Sequence, residues 1–104
     1  MQNKFLSFLG ICRKAGKMSI GYKNTAERVK ENRVSLILIA SDLSEKTEKE
    51  LCFITKGRDI EVLRTIYSME TLSAAIGIKT GVIAIEDEGF SKALKEKYKG
   101  ESQL

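Results

Sequence analysis

Apolar residues recur at helical spacing along the first positions of the chain. Phe5, Phe8, Leu9 and Cys12 stand at i, i+3, i+4 and i+7, one stripe of an amphipathic helix that Gly16 ends. Met18 to Ile20 leaves room only for a very short strand before Gly21. Tyr22, Ala26 and Val29 then give a second helix its apolar face, and Lys23, Asn24, Glu27, Arg28, Lys30 and Glu31 occupy its other sides. "VSLILIA", Val34 to Ala40, is too short for an ordinary helix and almost continuously apolar, the pattern of a central strand covered on both faces. The following "SDLSEKTEKELCFITKG" predicts a third helix. Asp42 or Ser44 is its cap, Thr47 and Glu50 stand at capping-box spacing, Leu51 and Ile54 share a face, and Gly57 terminates it.

Four further elements complete the pattern: a strand over Glu61 to Thr65, a short helix from a Ser68 cap through Leu72, Ala75 and Ile76 to Gly77, a buried strand over Val82 to Ile85, and a last helix using Phe90, Ala93, Leu94 and Tyr98. Helices alternating with short apolar strands argue for an α/β layered fold with helices on both sides of a sheet. The chain has 104 residues and no proline, and it lacks a Gly/Ser-rich linker, so a single domain over residues 1–104 is expected.

Composition narrows the chemistry. Histidine is absent and only two cysteines occur, which removes Ser-His-Asp and Cys-His machinery and the usual ligand set of a structural zinc site. The helix around Phe5 to Cys12 is interrupted by Ser7 and Gly10 and has no cleavage site after it, and no run of about 18 apolar residues exists to cross a bilayer. Cys12 and Cys52 are expected as free buried thiols in a reducing cytoplasm, small hydrophobes and not nucleophiles.

The net charge of +4 is unevenly spread. Residues 1–35 hold eight Lys/Arg against two Glu, a balance of +6; residues 36–70 hold five against seven, or −2; the remainder balances at five and five. This asymmetry suggests a polyanion-binding face, nucleic acid before anionic membrane, with a solvated basic surface as the alternative.

Ligands of open α/β sheets gather at loops that follow strand ends, near helix N-termini. Three segments qualify. In "SIGYKN", Gly21 permits close backbone approach, and Lys23 and Asn24 can address base edges, unless this is a plain glycine turn into a surface helix. In "IASDLS", Ser41 and Asp42 can bond a ligand or simply cap a helix. In "GIKTGV", the apolar Ile78 beside Lys79 and Thr80 suits an unstacked base and its phosphate, and an ordinary turn is the alternative. "GIKTG" is no phosphate-binding P-loop, because the glycine-rich run and the Gly-Lys-Thr order are missing. Its Lys-Thr-Gly lacks the Ser-x-x-Lys that penicillin-interacting enzymes require. "EDE", Glu86 to Glu88, reads as a solvated helix start in preference to a cation site.

Taken together, "LGICRKAGKMSIG", "LILIASDLSEKT", "LSAAIGIKTGVIAI" and "DEGF" resemble, over nearly the whole chain, the kink-turn RNA-binding ribosomal protein family of the large-subunit proteins L-seven-Ae and L-thirty-e. The resemblance implies a three-layer α/β/α sandwich with a four-stranded mixed sheet, no catalytic activity, no cofactor or metal, and binding to RNA bent sharply at tandem sheared G·A pairs. In that family a Gly-Thr-Asn-Glu-x-x-Lys type turn enters the groove. The matching positions here are Gly21, Tyr22, Lys23, Asn24 and Glu27, and only the glycine is retained. Lys23 and Asn24 can still bond base edges. Glu27 places an acid where the family has a lysine, with Lys17, Arg28 or Lys30 to compensate. Ile78, Lys79 and Thr80 match the loop that covers an extruded nucleotide, and Ala40, Ser41 and Asp42 a further RNA-facing loop. The resulting expectation is a cytoplasmic, monomeric binder of kink-turn or ribosomal RNA, with the ribosome as a further partner and with no membrane or small-molecule substrate. The alternative is an adaptor or ribosome-assembly accessory that kept the fold and lost strict kink-turn specificity.

Overall fold

Strict alternation along two short apolar strands sets the architecture. In a computed structural model describing residues 3–102, every residue of β2 (Leu36–Ile39) and β4 (Val82–Ile85) is buried. Side chains two apart share a sheet face. Leu36, Leu38, Ile83 and Ile85 accordingly point to one side, where they pack with Phe5, Leu9 and Cys12 of α1 (Lys4–Lys14), Leu72 and Ile76 of α4 (Met69–Ile76) and Leu94 of α5 (Glu88–Ser102). Ile37, Ile39, Val82 and Ala84 point to the other, against Val29 of α2 (Tyr22–Lys30) and Leu51 of α3 (Glu45–Ile54). The outcome is an α/β/α sandwich. Two helices cover one face of the sheet and three the other.

The four-stranded sheet runs β1-β4-β2-β3, with β1 (Met18–Ile20) and β3 (Glu61–Arg64) at its edges. β4 is antiparallel to both β1 and β2, while β3 is parallel to β2, so the sheet is mixed. The register pairs Ile20 with Ile83 and Ile39 with both Val82 and Arg64. The C-terminal ends of β1, β2 and β3 and the N-terminal end of β4 therefore lie together at one end of the sheet.

Several sequence expectations shift in detail. Val34 and Ala40 are buried but lie outside the β2 ladder. On α2 the fully buried partner of Val29, four residues before it, is Thr25 and not Ala26, which is only half-buried. A count of apolar residues overlooks a threonine that is fully buried, hydroxyl included. Ser44, not Asp42, caps α3 by accepting from the Thr47 amide, and Glu50 is an exposed residue of that helix with no part in a capping box. Cys12 is buried as expected, but Cys52 is exposed on α3, because it falls outside the Leu51 stripe; both thiols are free.

The "EDE" segment also divides. Asp87 accepts from the Phe90 amide at the start of α5, as a helix cap does. Glu86 is not part of a solvated helix start: its side chain is 9% exposed and lies between Arg33, at 3.0 Å, and Arg28, at 3.7 Å, while Ser19 donates to the same carboxylate. Among the described residues no three metal-ligating side chains converge, and no helix is long and apolar enough to cross a membrane.

Candidate nucleic-acid interface

Gly21 opens the loop end of the sheet. Its φ of 89° and ψ of 160° place it where a side chain is strained, and it bridges two elements. Its amide donates to Val82 at 2.9 Å, and its carbonyl accepts from Thr25 at 3.1 Å to start α2. With no side chain of its own, Gly21 leaves the amino end of α2 uncapped. Asn3, Ser44, Ser68 and Asp87 each supply a side-chain oxygen to a first-turn amide of α1, α3, α4 and α5. The N–H groups of α2's first turn thus remain available, at the positive end of its dipole, to an oxygen from outside the chain.

Around that helix end the side chains are unequal in what they offer. Lys23 is exposed and makes no ion pair among the described residues. Asn24 is exposed too, but its side-chain amide donates back to Ile20 O at 3.0 Å, which holds the first turn to β1. Tyr22 is half-buried against the Val29 and Leu51 side of the core, so its ring is anchored.

The α4–β4 connection runs into the strand residue that Gly21 bonds. Gly77 is left-handed with φ 79° and ends α4. Beyond it Ile78, 41% exposed, and Lys79, exposed and unpaired among the described residues, form the tip. Thr80 is buried and faces inward. Its amide donates to the Ser73 hydroxyl oxygen at 2.9 Å, and its own hydroxyl donates to Val82 O at 2.8 Å. It shapes the loop and presents no side chain outward. At this same end of α4, Arg13 of α1 donates to Ile76 O at 2.6 Å and braces the loop's base.

The β2–α3 loop is braced more heavily. Ala40 is fully buried and contributes backbone only; its amide donates to Gly81 O at 3.0 Å. Ser41 and Asp42 are exposed, and Asp42 accepts from the Met69 amide at 2.9 Å, so it serves the start of α4 across the loop end. Arg64 at the end of β3 donates to the carbonyls of Ala40 at 3.1 Å, Ser41 at 2.8 Å and Leu43 at 3.1 Å, and its guanidinium also holds Glu48. Gly81 permits the tight junction: a Cβ there would lie 2.9 Å from Met69 Cγ and 3.1 Å from Leu43 Cδ1.

Gly21, Tyr22, Lys23, Asn24, Ser41, Asp42, Ile78 and Lys79 are thus set on neighbouring loops, with Ala40 and Thr80 as buried supports beneath them. Lys17 and Arg28 are not brought to this end. Lys17 precedes β1, about 13 Å from Gly21 at strand rise, and its carbonyl accepts from Glu86 N at the opposite end of the sheet. Arg28 lies about 10 Å along α2 and turns to Ser19, Glu31 and Glu86. Glu27 is exposed between the two ends. The sequence reading missed Arg13, Arg64 and the 58% exposed Ile66 of the β3–α4 connection. Only Ile66 left a local signal, an apolar residue stranded between a strand and a helix cap.

Comparison with known proteins bears on the family and the fold. An RNA-binding protein YlxQ from Enterococcus faecium is 25% identical over 99 residues, covering 95% of each chain. Among solved structures, a protein of unknown function from Bacillus halodurans superposes with a TM-score of 0.87 at 28% identity, covering 94% of this chain and 99% of that one. A Giardia lamblia 15.5kD RNA binding protein shares the fold, with a TM-score of 0.73 at 16% identity over 100% of this chain and 93% of its own. Residues 3–95 match the family described as Ribosomal protein L7Ae/L30e/S12e/Gadd45, and the chain belongs to that family.

Proposed function

We propose that this protein is a non-enzymatic, monomeric, cytoplasmic RNA-binding protein that recognises structured RNA of the kink-turn type, ribosomal RNA included, at the loop end of its sheet. The observation that carries this reading is the uncapped amino end of α2 at Gly21, beside the exposed Lys23 and the Ile78–Lys79 tip. A phosphate or base-edge oxygen fits unpaired N–H groups, a cation fits the neighbouring phosphates, and an exposed isoleucine fits the face of an unstacked base. RNA binding by YlxQ of Enterococcus faecium supports the same class of partner.

Anisotropy titrations of a kink-turn RNA against a duplex of equal length test the proposal. The kink-turn RNA is expected to bind at least about tenfold tighter, with affinity falling steeply as salt rises because lysines displace counterions. Equal affinities would defeat the specific reading.

A second reading is favoured by Glu27, exposed on the outer side of α2. A carboxylate there repels phosphate, as suits an adaptor or ribosome-assembly accessory without strict kink-turn specificity. Glu27→Lys separates the two: the adaptor reading requires a clear gain in RNA affinity, the binder reading little change.

A further inference from the structure

The outward surface of α3 holds an arrangement that the loop-end site does not use. Phe53 is 77% exposed, the most exposed large hydrophobic side chain among the described residues. Lys46 and Lys49 share its side of the helix, seven and four residues before it, opposite the buried Leu51, and Lys56 follows three residues after it in the turn that leaves α3. All three lysines are exposed, and among the described residues none makes an ion pair. Folding gains nothing from a phenyl ring left in water and ringed by free ammonium groups.

We propose that this stripe is a second RNA contact that takes an unpaired strand, with Phe53 stacking on a base and Lys46, Lys49 and Lys56 meeting the phosphates on either side. Aromatic rings interleaved with cations are how proteins hold single strands without reading their sequence, since every base offers a stacking face. Charge complementarity selects the occupant: a polyanion satisfies three unpaired cations around one ring, whereas an apolar partner would bury them unpaired. Glu45 and Glu50 flank the stripe, which limits it to a narrow track one strand wide and disfavours a duplex.

The position of the stripe connects it to the loop end. α3 begins two residues after Leu43, whose carbonyl Arg64 holds. From Lys46 the stripe runs about 10 Å to Phe53 at helical rise, and Lys56 continues it in the turn beyond the helix. A strand leaving an RNA element seated at Ser41 and Asp42 would meet Lys46 first. This route rests on the RNA reading of the loop end; the stripe's own affinity for a single strand does not.

The full chain is titrated with three fluorescent probes: a kink-turn RNA, the same RNA with an eight-nucleotide uridine extension at either end, and a free sixteen-nucleotide uridine strand. One extension is expected to tighten binding at least about fivefold, the scale of a single base stack. Phe53→Ala abolishes that gain while leaving the unextended RNA unaffected, and Phe53→Trp retains it. Replacing the three lysines by Gln removes the gain and lowers the salt slope for the extended RNA by about two. No gain from either extension, or a gain that survives Phe53→Ala, overturns the proposal. So does a finding by sedimentation that Phe53→Ala dissolves a dimer and leaves RNA binding intact. If the kink-turn RNA fails to outcompete its duplex, the loop-end reading falls, and the free uridine strand alone decides this one. Phe53-dependent binding supports it, and absence of binding overturns it.

Discussion

Arg64 is the residue on which the shape of the β2–α3 loop depends most. Its guanidinium donates to three backbone carbonyls, Ala40, Ser41 and Leu43, and pairs with Glu48. Arg64→Ala removes three bonds, leaving the Ser41 and Leu43 carbonyls without the guanidinium donor while Ala40 O keeps only the Leu43 amide at 3.2 Å. Bonds from a charged group contribute about 1.5–3 kcal/mol each, and because Ser41 is exposed and can regain water we take about 1 kcal/mol per carbonyl. The Glu48 pair adds at most about 1 kcal/mol, since solvent screens pairs of this kind and the two side chains are 29% and 31% exposed. The expected loss is about 3–4 kcal/mol in all, a large share of the 5–15 kcal/mol typical of a folded domain. Arg64→Lys keeps the charge but loses the planar fork, so a loss of about 2 kcal/mol is expected. Glu48→Gln, which removes only the screened pair, should cost below about 1 kcal/mol. Urea unfolding followed by circular dichroism measures all three. An Arg64→Ala variant within about 1 kcal/mol of the native protein, or a Glu48→Gln variant as damaged as Arg64→Ala, would refute the view that the carbonyl bonds carry the brace.

The remaining predictions address single buried groups. Thr25 Oγ1 is buried without a hydrogen-bond partner among the described residues, so the isosteric Thr25→Val should stabilise by about 1 kcal/mol in the same urea assay. Burial, with a smaller contribution from the Asp87 carboxylate, pushes the Cys12 thiol up to about 11; maleimide at neutral pH should therefore label Cys52 rapidly and Cys12 only on unfolding. A folded thiol that stays protonated while the unfolded one ionises makes stability complete below pH 9, and about 2–3 kcal/mol is lost between pH 9 and 11, a loss that Cys12→Ala should remove from the pH profile. Glu86→Ala should destabilise by about 1–2 kcal/mol, because Arg28 and Arg33 lose a shared carboxylate but stay partly hydrated, and urea midpoints check it.

The sequence made the layered fold legible because its signals are local. The unbroken apolar runs "LILI" and "VIAI", Gly16 and Gly77 at helix ends, and Ser68 before α4 act within a few residues of themselves. What it left unread depends on contacts between distant segments. Asp42 serves α4 across 27 residues of chain, Arg13 braces the end of α4 across 63, and Glu86 receives Ser19 across 67. No spacing rule along one segment announces such pairs. The burial of Ala40 and Thr80 was unread for a related reason: strand-end residues in a tight loop alternate between facing water and closing the core, and the tertiary junction at Gly81 decides which.

Charge shows the same division most sharply. The +6 balance of residues 1–35 reads as one basic face, yet the fold distributes it. Arg13 terminates α4, and Arg28 and Arg33 converge on Glu86 and Glu31, leaving Lys23 as a free cation beside the uncapped helix. The acidic middle third behaves in the opposite way. Asp42 is taken by the Met69 amide, Glu48 by Arg64 and Glu61 by Lys95, which turns three of its acids to partners within the chain. Lys46, Lys49 and Lys56 of the same third keep no such partner among the described residues. A stretch that sums to −2 in sequence therefore presents an unpaired basic stripe, and one that sums to +6 presents few free cations at the loop end. An external phosphate responds to the charges left unneutralised on one face, within roughly a Debye length of about 8–10 Å, not to the sum along the chain.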